Sequence, residues 1–429
     1  MNRSIEGWVN RMSLAGVYLL AFFCFLSPPV VVLGEVLLLL AALLDWRHSV
    51  AVLRTFYGKL FLAFVLLALL SAAWASQTFG YAGSQFEQAG DYIQMSLFWL
   101  AGWAIYRQRI RLQWVFAVVV AGMLLSLVIH FPYGQTEALL AGGARFGFGS
   151  IHPIQLGTYL AVLSVGLVVV LSRLLAGDER RLRHWLLAGL MMAVLAIFLT
   201  ASMMTWSRGA WLAFVVGAAF VGLFKLLQLL RRGRMGLRNV ALLAGALSVV
   251  VLLVASLGAE KITQRLTAES DIYQRILAGD IKDMPKTSVG WRVHMQVFAW
   301  QRFWERPLLG WGPYTKQVID NSDLGLPWGH LHNSYWEVLL RFGLVGGALF
   351  AAGIGWLVRG VWLSYRRDPD QEEPIMLGVL GGFLALAVWA MIDYKFTGWE
   401  NTALLWLLAG AAASRAFRVA LGPVPEAAR

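Results

Sequence analysis

The amino-acid sequence predicts an all-α polytopic membrane protein with about twelve transmembrane helices. Of its 429 residues, 59% are hydrophobic and only 14% are charged, whereas a soluble domain carries about 25% charged residues. Apolar runs of about 17–23 residues recur along the whole chain, and a helix of about 20 apolar residues crosses the hydrocarbon core of a bilayer. These observations exclude an ordinary soluble protein.

The net charge of +12 is explained by membrane topology. Basic residues favour the cytoplasmic side, and most of them fall in alternate connections between the apolar runs. Both termini are therefore expected in the cytoplasm. Because topology explains the charge, a nucleic-acid partner is not expected. A nucleotide partner is not expected either, because the chain has no phosphate-binding glycine fingerprint. The single cysteine, Cys24, excludes an intrachain disulfide.

The predicted spans are apolar runs separated by polar, glycine-containing or proline-containing breaks. They are residues 12–27, 30–46, 59–75, 92–106, 112–131, 152–174, 184–203, 209–229, 239–258, 334–358, 375–393 and 401–419. Nine spans thus lie in residues 1–258 and three in residues 334–429, and all belong to a single membrane-embedded domain.

The segment between spans nine and ten, residues 259–333, is long and falls on the outer side. Its apolar residues have near-helical spacing over residues 260–277. A second, tryptophan-rich amphipathic helix is predicted over residues 290–304, ending before Pro307. Amphipathic helices of this kind lie in the membrane–water interface, so the two are expected to cap the outer face of the bundle.

A polar cluster marks the point where this segment meets the tenth span. His330, His332, Asn333 and Ser334 fall within five positions. A histidine takes up a proton near neutral pH, which makes His332 a candidate base. The alternative is that Asn333 and Ser334 simply cap the helix that follows. His330 is expected to point elsewhere if the segment is extended.

The tenth span itself carries two unusual features. Glu337 and Arg341 lie four positions apart inside the apolar pattern, where charges are costly unless they are paired or functional. The sequence leaves open whether they form a structural pair within the helix or belong to a site. Gly343 and Gly347 form a small-xxx-small step, which predicts close approach of another helix.

Arginines on the outer face are the other candidate site residues. They are Arg145, Arg208, Arg265 and Arg292, and Arg145 lies in a glycine-rich stretch. A guanidinium matches phosphate geometry with two hydrogen bonds, so arginines that converge at a membrane face suit a lipid-linked pyrophosphate. Each arginine has an alternative role, in which it contacts lipid headgroups or pairs with a carboxylate.

A metal site is an alternative use of the histidines. His152, His294, His330 and His332 share the outer side with Asp320 and Asp323. None of these residues has the helical spacing of a metal-ligand pair, and the sequence therefore predicts neither a metal nor a cofactor.

A secondary anion transporter is an alternative from another functional class. It would also require charges within or next to the membrane, such as Glu337, Arg341, Asp393 and Lys395. The sequence shows no inverted repeat and no matching pair of interrupted helices, which are typical of such transporters.

An ordered set of motifs resembles a known family. The set is Arg145-Phe146-Gly147 with His152-Pro153, then Ser207-Arg208-Gly209-Ala210, then Arg292, Pro307–Gly312, and His332-Asn333-Ser334-Tyr335 with Gly343 and Gly346. Over about residues 140–350 this order is similar to the O-antigen ligase family. That family shares a superfamily with the O-antigen polymerases and the O-linked protein oligosaccharyltransferases.

The resemblance implies a twelve-helix bacterial inner-membrane glycosyltransferase with a periplasmic active site. It implies transfer of O-antigen from undecaprenyl pyrophosphate to a sugar of the lipid A–core, without metal or nucleotide. By position, Arg208 and Arg292 would bind the pyrophosphate and His332 would be the essential histidine, so these three are the expected catalytic residues, with Arg145 as a second phosphate ligand. Arg265 matches no motif of the family. It is expected as a substrate contact together with Asn333 and His330. Ile154 stands where the family often has asparagine after His-Pro, which argues against a role for His152.

The related polymerase and protein oligosaccharyltransferase activities remain alternatives. Only about ten polar residues follow the last predicted span, whereas the related enzymes often carry a larger soluble C-terminal region. The loop between spans five and six is also short. Both features favour the ligase.

Overall fold

The computed structural model describes residues 3–141, 143–149, 151–176, 182–231, 263–264, 267, 269–281, 284–322, 329–394 and 399–424. Regular secondary structure in these ranges is helical, apart from one isolated β-bridge between Phe148 and Ile151. The predicted all-α class is confirmed for this part of the chain.

The helices are numbered here in chain order. They are α1 (Arg3–Phe23), α2 (Pro28–Leu44), α3 (Trp46–Arg54), α4 (Phe56–Phe79), α5 (Ala82–Ser96), α6 (Trp99–Arg107), α7 (Leu112–His130), α8 (Thr136–Ala141), α9 (Pro153–Ala176), α10 (Leu182–Met204), α11 (Arg208–Arg231), α12 (Ser270–Leu277), α13 (Ser288–Glu305), α14 (Lys316–Asp320), α15 (Ser334–Arg367), α16 (Pro369–Ala390) and α17 (Trp399–Leu421).

Eight of the described helices are long and apolar enough to cross a membrane, namely α4, α7, α9, α10, α11, α15, α16 and α17. A ninth candidate is formed by α2 and α3 together, which are bent by 96° at the break between them. The predicted ninth span, residues 239–258, lies outside the described residues. The structure thus supports a multi-span membrane protein and describes fewer spans than the twelve predicted.

The predicted span 92–106 is not one helix. It is divided between the end of α5 and all of α6, with the break at Leu97 and Phe98. Helix α5 begins ten positions earlier than expected, because Gln85, Ala89 and Tyr92 are buried with helical spacing. The apolar pattern runs through the break, which is why the sequence did not reveal it.

The contacts between Cα atoms divide the chain into two compact units. The first contains Met1–Leu127, Lys286–Glu372 and Ala390–Arg429, and the second contains Val128–Pro285 and Glu373–Trp389. The boundary at residues 285 and 286 falls inside the segment 259–333, so its two helices belong to different units. Helix α13 agrees with the predicted range 290–304, whereas α12 has only eight residues. Their location at a membrane surface remains a prediction.

Close helix packing in the first unit depends on small residues. Where α6 meets α17, a Cβ added to Gly102 would lie 2.7 Å from Ala413 Cβ and 2.9 Å from the Gly410 carbonyl oxygen. A side chain at Gly102 would therefore force the two backbones apart. The same unit contains α1 packed on α2, and α15 packed on α4 and α17.

Helix α15 is broken at Gly343. This residue has φ 63° and ψ −163°, a backbone conformation that only glycine adopts readily. A Cβ there would lie 2.2 Å from the Leu308 carbonyl oxygen. The small-xxx-small prediction for Gly343 and Gly347 did not anticipate this partner, since the atoms nearest to Gly343 belong to a loop.

That loop, residues 307–312, satisfies the backbone groups that the break exposes. The amides of Leu344 and Val345 donate to the carbonyls of Pro307 and Leu308, at 2.8 and 3.2 Å. In return, the Trp311 amide donates to the Leu340 carbonyl at 2.8 Å. Unpaired backbone groups in a membrane cost several kcal/mol each, so the loop stabilises the broken helix.

The second unit is organised around α9, which packs against α10 and α11. In this unit α11 also bonds to the start of α16. Gln228 donates to Glu373 at 2.8 Å, and Lys225 forms an ion pair with the same carboxylate. The charge of Lys225, near the end of α11, is thereby neutralised by Glu373 of α16.

Candidate active site

The centre of the candidate site is a contact between His332 and Asp393 in the first unit. Nδ1 of His332 lies 2.9 Å from Oδ1 of Asp393, and the two side chains are 18% and 5% exposed. His332 precedes α15, and Asp393 follows α16. A histidine that is oriented by a buried carboxylate and still reached by solvent is suited to act as a general base.

Asp393 is held in its ionised form. Burial by itself would raise its pKa, but the hydrogen bond from His332, the charge that this imidazole carries when protonated, and the Tyr394 amide together bring the pKa below its usual value of 3.8. An ionised carboxylate only accepts hydrogen bonds, so Nδ1 of His332 carries the proton that is shared with Asp393. When the ring is neutral, Nε2 is then the nitrogen that can accept a proton.

The backbone at His332 has an unusual conformation. Its φ is +49°, in the left-handed region that residues other than glycine seldom adopt. Such conformations cost about 1–3 kcal/mol and cluster at functional sites. The segment is consequently not extended, so the condition under which His330 would point elsewhere is not met. The two imidazole rings are 4.2 Å apart, and the His332 amide lies 3.4 Å from His330 Nδ1.

Arg292 of α13 is bound to the same turn. Its Nε donates to the carbonyl of Ile392, the residue before Asp393, at 3.2 Å. Its Nη1 donates to the carbonyl and to Oγ of Ser288, each at 2.9 Å. The turn that contains Asp393 therefore also fixes Arg292, which was predicted to bind phosphate.

Asn333 acts as the cap of α15. Its Oδ1 accepts from the amides of Tyr335 and Trp336, at 3.0 and 3.1 Å. Its Nδ2 donates to Gln296 of α13 at 3.1 Å and to the Met391 carbonyl at 3.2 Å. The helix-cap interpretation is therefore confirmed for Asn333, and a substrate contact by this residue stays a prediction.

A buried network lies next to the site. Glu337 Oε1 accepts from the amide of Leu331, which precedes His332, at 2.6 Å. Glu337 Oε2 accepts from Thr315 at 2.9 Å and from Arg341 Nε at 2.8 Å. Neither charged residue is more than 3% exposed, so the pair is structural.

Arg341 connects this network to the other half of the site. Its guanidinium carbon is 5.1 Å from the ring centre of Tyr394, which follows Asp393, and 5.3 Å from that of Tyr92. The two phenol oxygens are 3.0 Å apart. Glu337 thus holds Leu331, next to His332, and Arg341 holds Tyr394, next to Asp393. These contacts explain the two buried charges without a transport function.

Arg208 belongs to the second unit, at the start of α11. Its Nη2 lies 2.6 Å from Oε2 of Glu269, and the side chains are 22% and 12% exposed. The alternative role in which an arginine pairs with a carboxylate is thus observed here. A phosphate that binds Arg208 would have to compete with Glu269.

Arg145 contacts the turn that precedes Arg208. Its Nε donates to the Thr205 carbonyl at 2.9 Å, and the amide of its neighbour Phe146 donates to the Met204 carbonyl at 2.9 Å. Arg145 itself is exposed. His152 is also exposed and accepts weakly from the Ile154 amide at 3.4 Å, as a residue at a helix start does.

One group of side chains in the described residues has metal-binding composition. His330, His332 and Asp393 each place one ligand atom within 4.8 Å of the others. Two imidazoles and a carboxylate are ligands that divalent zinc accepts. The sequence prediction of no metal did not anticipate this group, because Asp393 reaches the histidines from a distant part of the chain. Asp320 pairs with Lys316, and Asp323 lies outside the described residues.

Four of the predicted site residues belong to one unit, and two belong to the other. His330, His332, Asn333 and Arg292 meet in the first unit, whereas Arg208 and Arg145 belong to the second. Arg265 lies outside the described residues. Gln296 and Glu269 were not predicted from the sequence. Asp393 was considered only as a charge that a transporter would require. Its position at the end of the eleventh predicted span, on the same side as His332, was the signal that could have identified it.

Comparison with known protein families identifies part of the chain. Residues 193–351 match a family model whose description is O-antigen ligase. This range includes Arg208, Arg292 and His332, and it ends inside α15, before Asp393. No curated protein matches the chain.

Proposed function

This chain carries an O-antigen ligase family domain at residues 193–351, and on that premise we propose that it is an O-antigen ligase. The family is one of glycosyltransferase-like membrane enzymes that act on polysaccharide and lipid substrates. The proposed donor is O-antigen on undecaprenyl pyrophosphate, and the proposed acceptor is the lipid A–core oligosaccharide. The proposed location is the periplasmic face of the bacterial inner membrane.

The observation that carries the mechanism is the 2.9 Å contact between His332 Nδ1 and Asp393 Oδ1. Nε2 of His332 takes the proton of the acceptor hydroxyl as that oxygen attacks the anomeric carbon of the donor. The carboxylate of Asp393 stabilises the imidazolium that forms. General base catalysis of this kind contributes about 10²–10⁴ in rate.

The bond between the anomeric carbon and the pyrophosphate oxygen breaks in the same step. The electron pair leaves with the pyrophosphate, and the configuration at the sugar is inverted, because the acceptor attacks from the opposite face. Arg292, fixed beside Asp393 through the Ile392 carbonyl, is proposed to stabilise the charge on the leaving group. Preorganised charges are usually the largest catalytic contribution.

Arg208 and Arg145 are proposed as further donor contacts on the strength of the family resemblance. Arg208 has a side chain that is 22% exposed, and its Nη2 donates to Oε2 of Glu269. A pyrophosphate carries more negative charge than a carboxylate and accepts both branches of the guanidinium fork. Arg265 keeps its proposed role as a substrate contact from the sequence alone.

The experiment that tests the proposed function is a reconstituted transfer assay. Purified full-length protein in liposomes is given an undecaprenyl-pyrophosphate-linked O-antigen together with rough lipopolysaccharide. A ladder of O-antigen on the lipopolysaccharide is the expected result. If the lipid-linked glycan grows and the lipopolysaccharide receives no O-antigen, the activity is that of a polymerase. Transfer to an added protein acceptor would indicate an oligosaccharyltransferase.

A chelator in the same assay tests the proposed independence from metal. Transfer is expected to continue in the presence of EDTA, because arginine charges take the place of a divalent ion. Loss of transfer that zinc restores would instead make His330, His332 and Asp393 a metal centre.

A further inference from the structure

A cavity of about 670 Å³ lies in the first unit, toward the end of α15 opposite to His332. Three parts of the chain line it: the junction of α3 and α4, the second half of α15, and the end of α17. The lining combines two arginines, Arg54 and Arg359, with apolar residues that include Phe56, Trp356 and Leu421. The cavity wall is therefore basic at the two arginines and apolar elsewhere.

Basic residues place this cavity at the cytoplasmic end of the helices. Arg54 belongs to the connection between the predicted second and third spans, and Arg359 follows the tenth. Both connections are among those that the positive-inside rule assigns to the cytoplasm. Basic pockets between helices on that side of a membrane bind the headgroups of anionic lipids.

The two arginines differ from others assigned to the same side. Arg107 lies 3.6 Å from Asp45, and Arg415 and Arg418 both contact Glu372. Among the described residues, neither Arg54 nor Arg359 forms an ion pair. Their charge is therefore available to an anion that binds in the cavity.

Helix α3 adds a second, independent observation. It meets α2 at 96°, so if α2 crosses the membrane, α3 runs along its surface. One face of α3 is buried through Ser49 and Val52, while Trp46 is 59% exposed and Phe56, just beyond its end, is 57% exposed. Exposed aromatic rings beside arginines are typical of a helix that lies in the headgroup region.

We propose that this cavity binds one anionic phospholipid of the cytoplasmic leaflet. The lipid phosphate contacts Arg54 and Arg359, and an acyl chain lies against Phe56, Trp356 and Leu421. Bound lipid joins α3, α15 and α17, and so stabilises the helix that carries the candidate active site at its other end. The assignment does not depend on the proposed transferase activity.

Native mass spectrometry of the purified full-length protein tests this assignment. With equal amounts of phosphatidylglycerol and phosphatidylcholine, retention of one phosphatidylglycerol is expected. The double variant Arg54→Gln, Arg359→Gln is expected to weaken that binding by about fivefold for each arginine removed. The matched control, Arg366→Gln, Arg367→Gln, removes two arginines assigned to the same side that do not line the cavity, and is expected to bind normally.

A second pair of variants tests the apolar half without changing any charge. A Cβ at Gly355, which lines the cavity, meets no atom within 4 Å, and the same is true of Gly353 on the same helix. Gly355→Leu is expected to fill the cavity and expel the lipid, whereas Gly353→Leu retains it.

Three results would overturn the proposal. Equal retention of phosphatidylcholine would show that charge is not recognised, and normal binding in both the double arginine variant and Gly355→Leu would place the lipid elsewhere. If inorganic phosphate alone raised the thermal unfolding temperature as much as phosphatidylglycerol did, the site would be a simple anion site and not a lipid site.

Discussion

His332 and Asp393 are separated by 61 positions in the chain, and their side chains are 2.9 Å apart at Nδ1 and Oδ1. One residue precedes α15 and the other follows α16, so both helices have to be in place for the contact to form. Asp393 also lies beyond the residues 193–351 that match the ligase family. The candidate base is thus oriented by a residue outside the matched region.

Replacement of Asp393 tests whether this orientation matters for transfer. Asp393→Asn is expected to lower the transfer rate about 100-fold, because an amide no longer stabilises the imidazolium or fixes the tautomer of His332. Asp393→Glu keeps the charge and should retain more activity. The rate is measured in the reconstituted assay at equal amounts of inserted protein.

Asp320→Asn is the matched control for Asp393. Asp320 is an exposed aspartate of the first unit that pairs with Lys316 on the same short helix. Its replacement should leave the transfer rate unchanged. Equal transfer rates for Asp393→Asn and wild type would show that Asp393 has no role in the reaction.

Arg292 is expected to contribute through charge and through geometry. Arg292→Gln should lower kcat about 100-fold or more, and Arg292→Lys should restore only part of it, because lysine lacks the two-branched donor. Arg302→Gln is the control on the same helix, where Arg302 pairs with Glu305 at 2.9 Å. Arg292 also binds the Ile392 carbonyl, so the thermal unfolding temperature is measured in parallel. A loss of activity that simply follows a loss of stability would mean that Arg292 only holds the turn.

Glu269 is expected to compete with the donor for Arg208. Glu269→Gln should lower the KM for the lipid-linked donor by about three- to tenfold, because the guanidinium no longer has a carboxylate at 2.6 Å. Arg208→Gln should raise the same KM. If neither substitution changes the KM while both lower the thermal unfolding temperature, the pair is structural and Arg208 does not bind the donor.

Gly343 is expected to be essential for folding. Gly343→Ala should lower the free energy of unfolding by about 3 kcal/mol or more, because the residue has φ 63° and its new Cβ would lie 2.2 Å from the Leu308 carbonyl oxygen. Gly353→Ala on the same helix meets no atom within 4 Å and should be neutral or slightly stabilising. Thermal unfolding in detergent compares the two, and equal stability would contradict the break in α15.

The sequence predicted the helical class and most of the spans, and it singled out His332, whose role stays a prediction. Apolar runs of membrane length and a polar cluster at a helix start are local patterns, so they are visible in the sequence. The break at Gly343 was not visible, because the apolar pattern continues through it and the sign of a φ angle does not follow from residue type. The interruption between α5 and α6 was missed for the same reason.

The partners of the site residues were harder to predict than the residues themselves. Asp393 and Glu269 are each about 60 positions from the residues they contact, His332 and Arg208. Nothing in the local pattern of either chain segment identifies such a partner. The charges of Glu337 and Arg341 were noticed, but only the buried contacts with Leu331 and Tyr394 show that they support the site.

The most direct test of the account is the transfer rate of His332→Ala. The variant and wild type are reconstituted in liposomes with lipid-linked O-antigen, rough lipopolysaccharide and EDTA, and His294→Ala of α13 serves as the histidine control. An O-antigen ladder is expected with wild type and His294→Ala, and none with His332→Ala, although all three are inserted equally. A ladder formed by His332→Ala at the wild-type rate would contradict the assignment of His332 as the base.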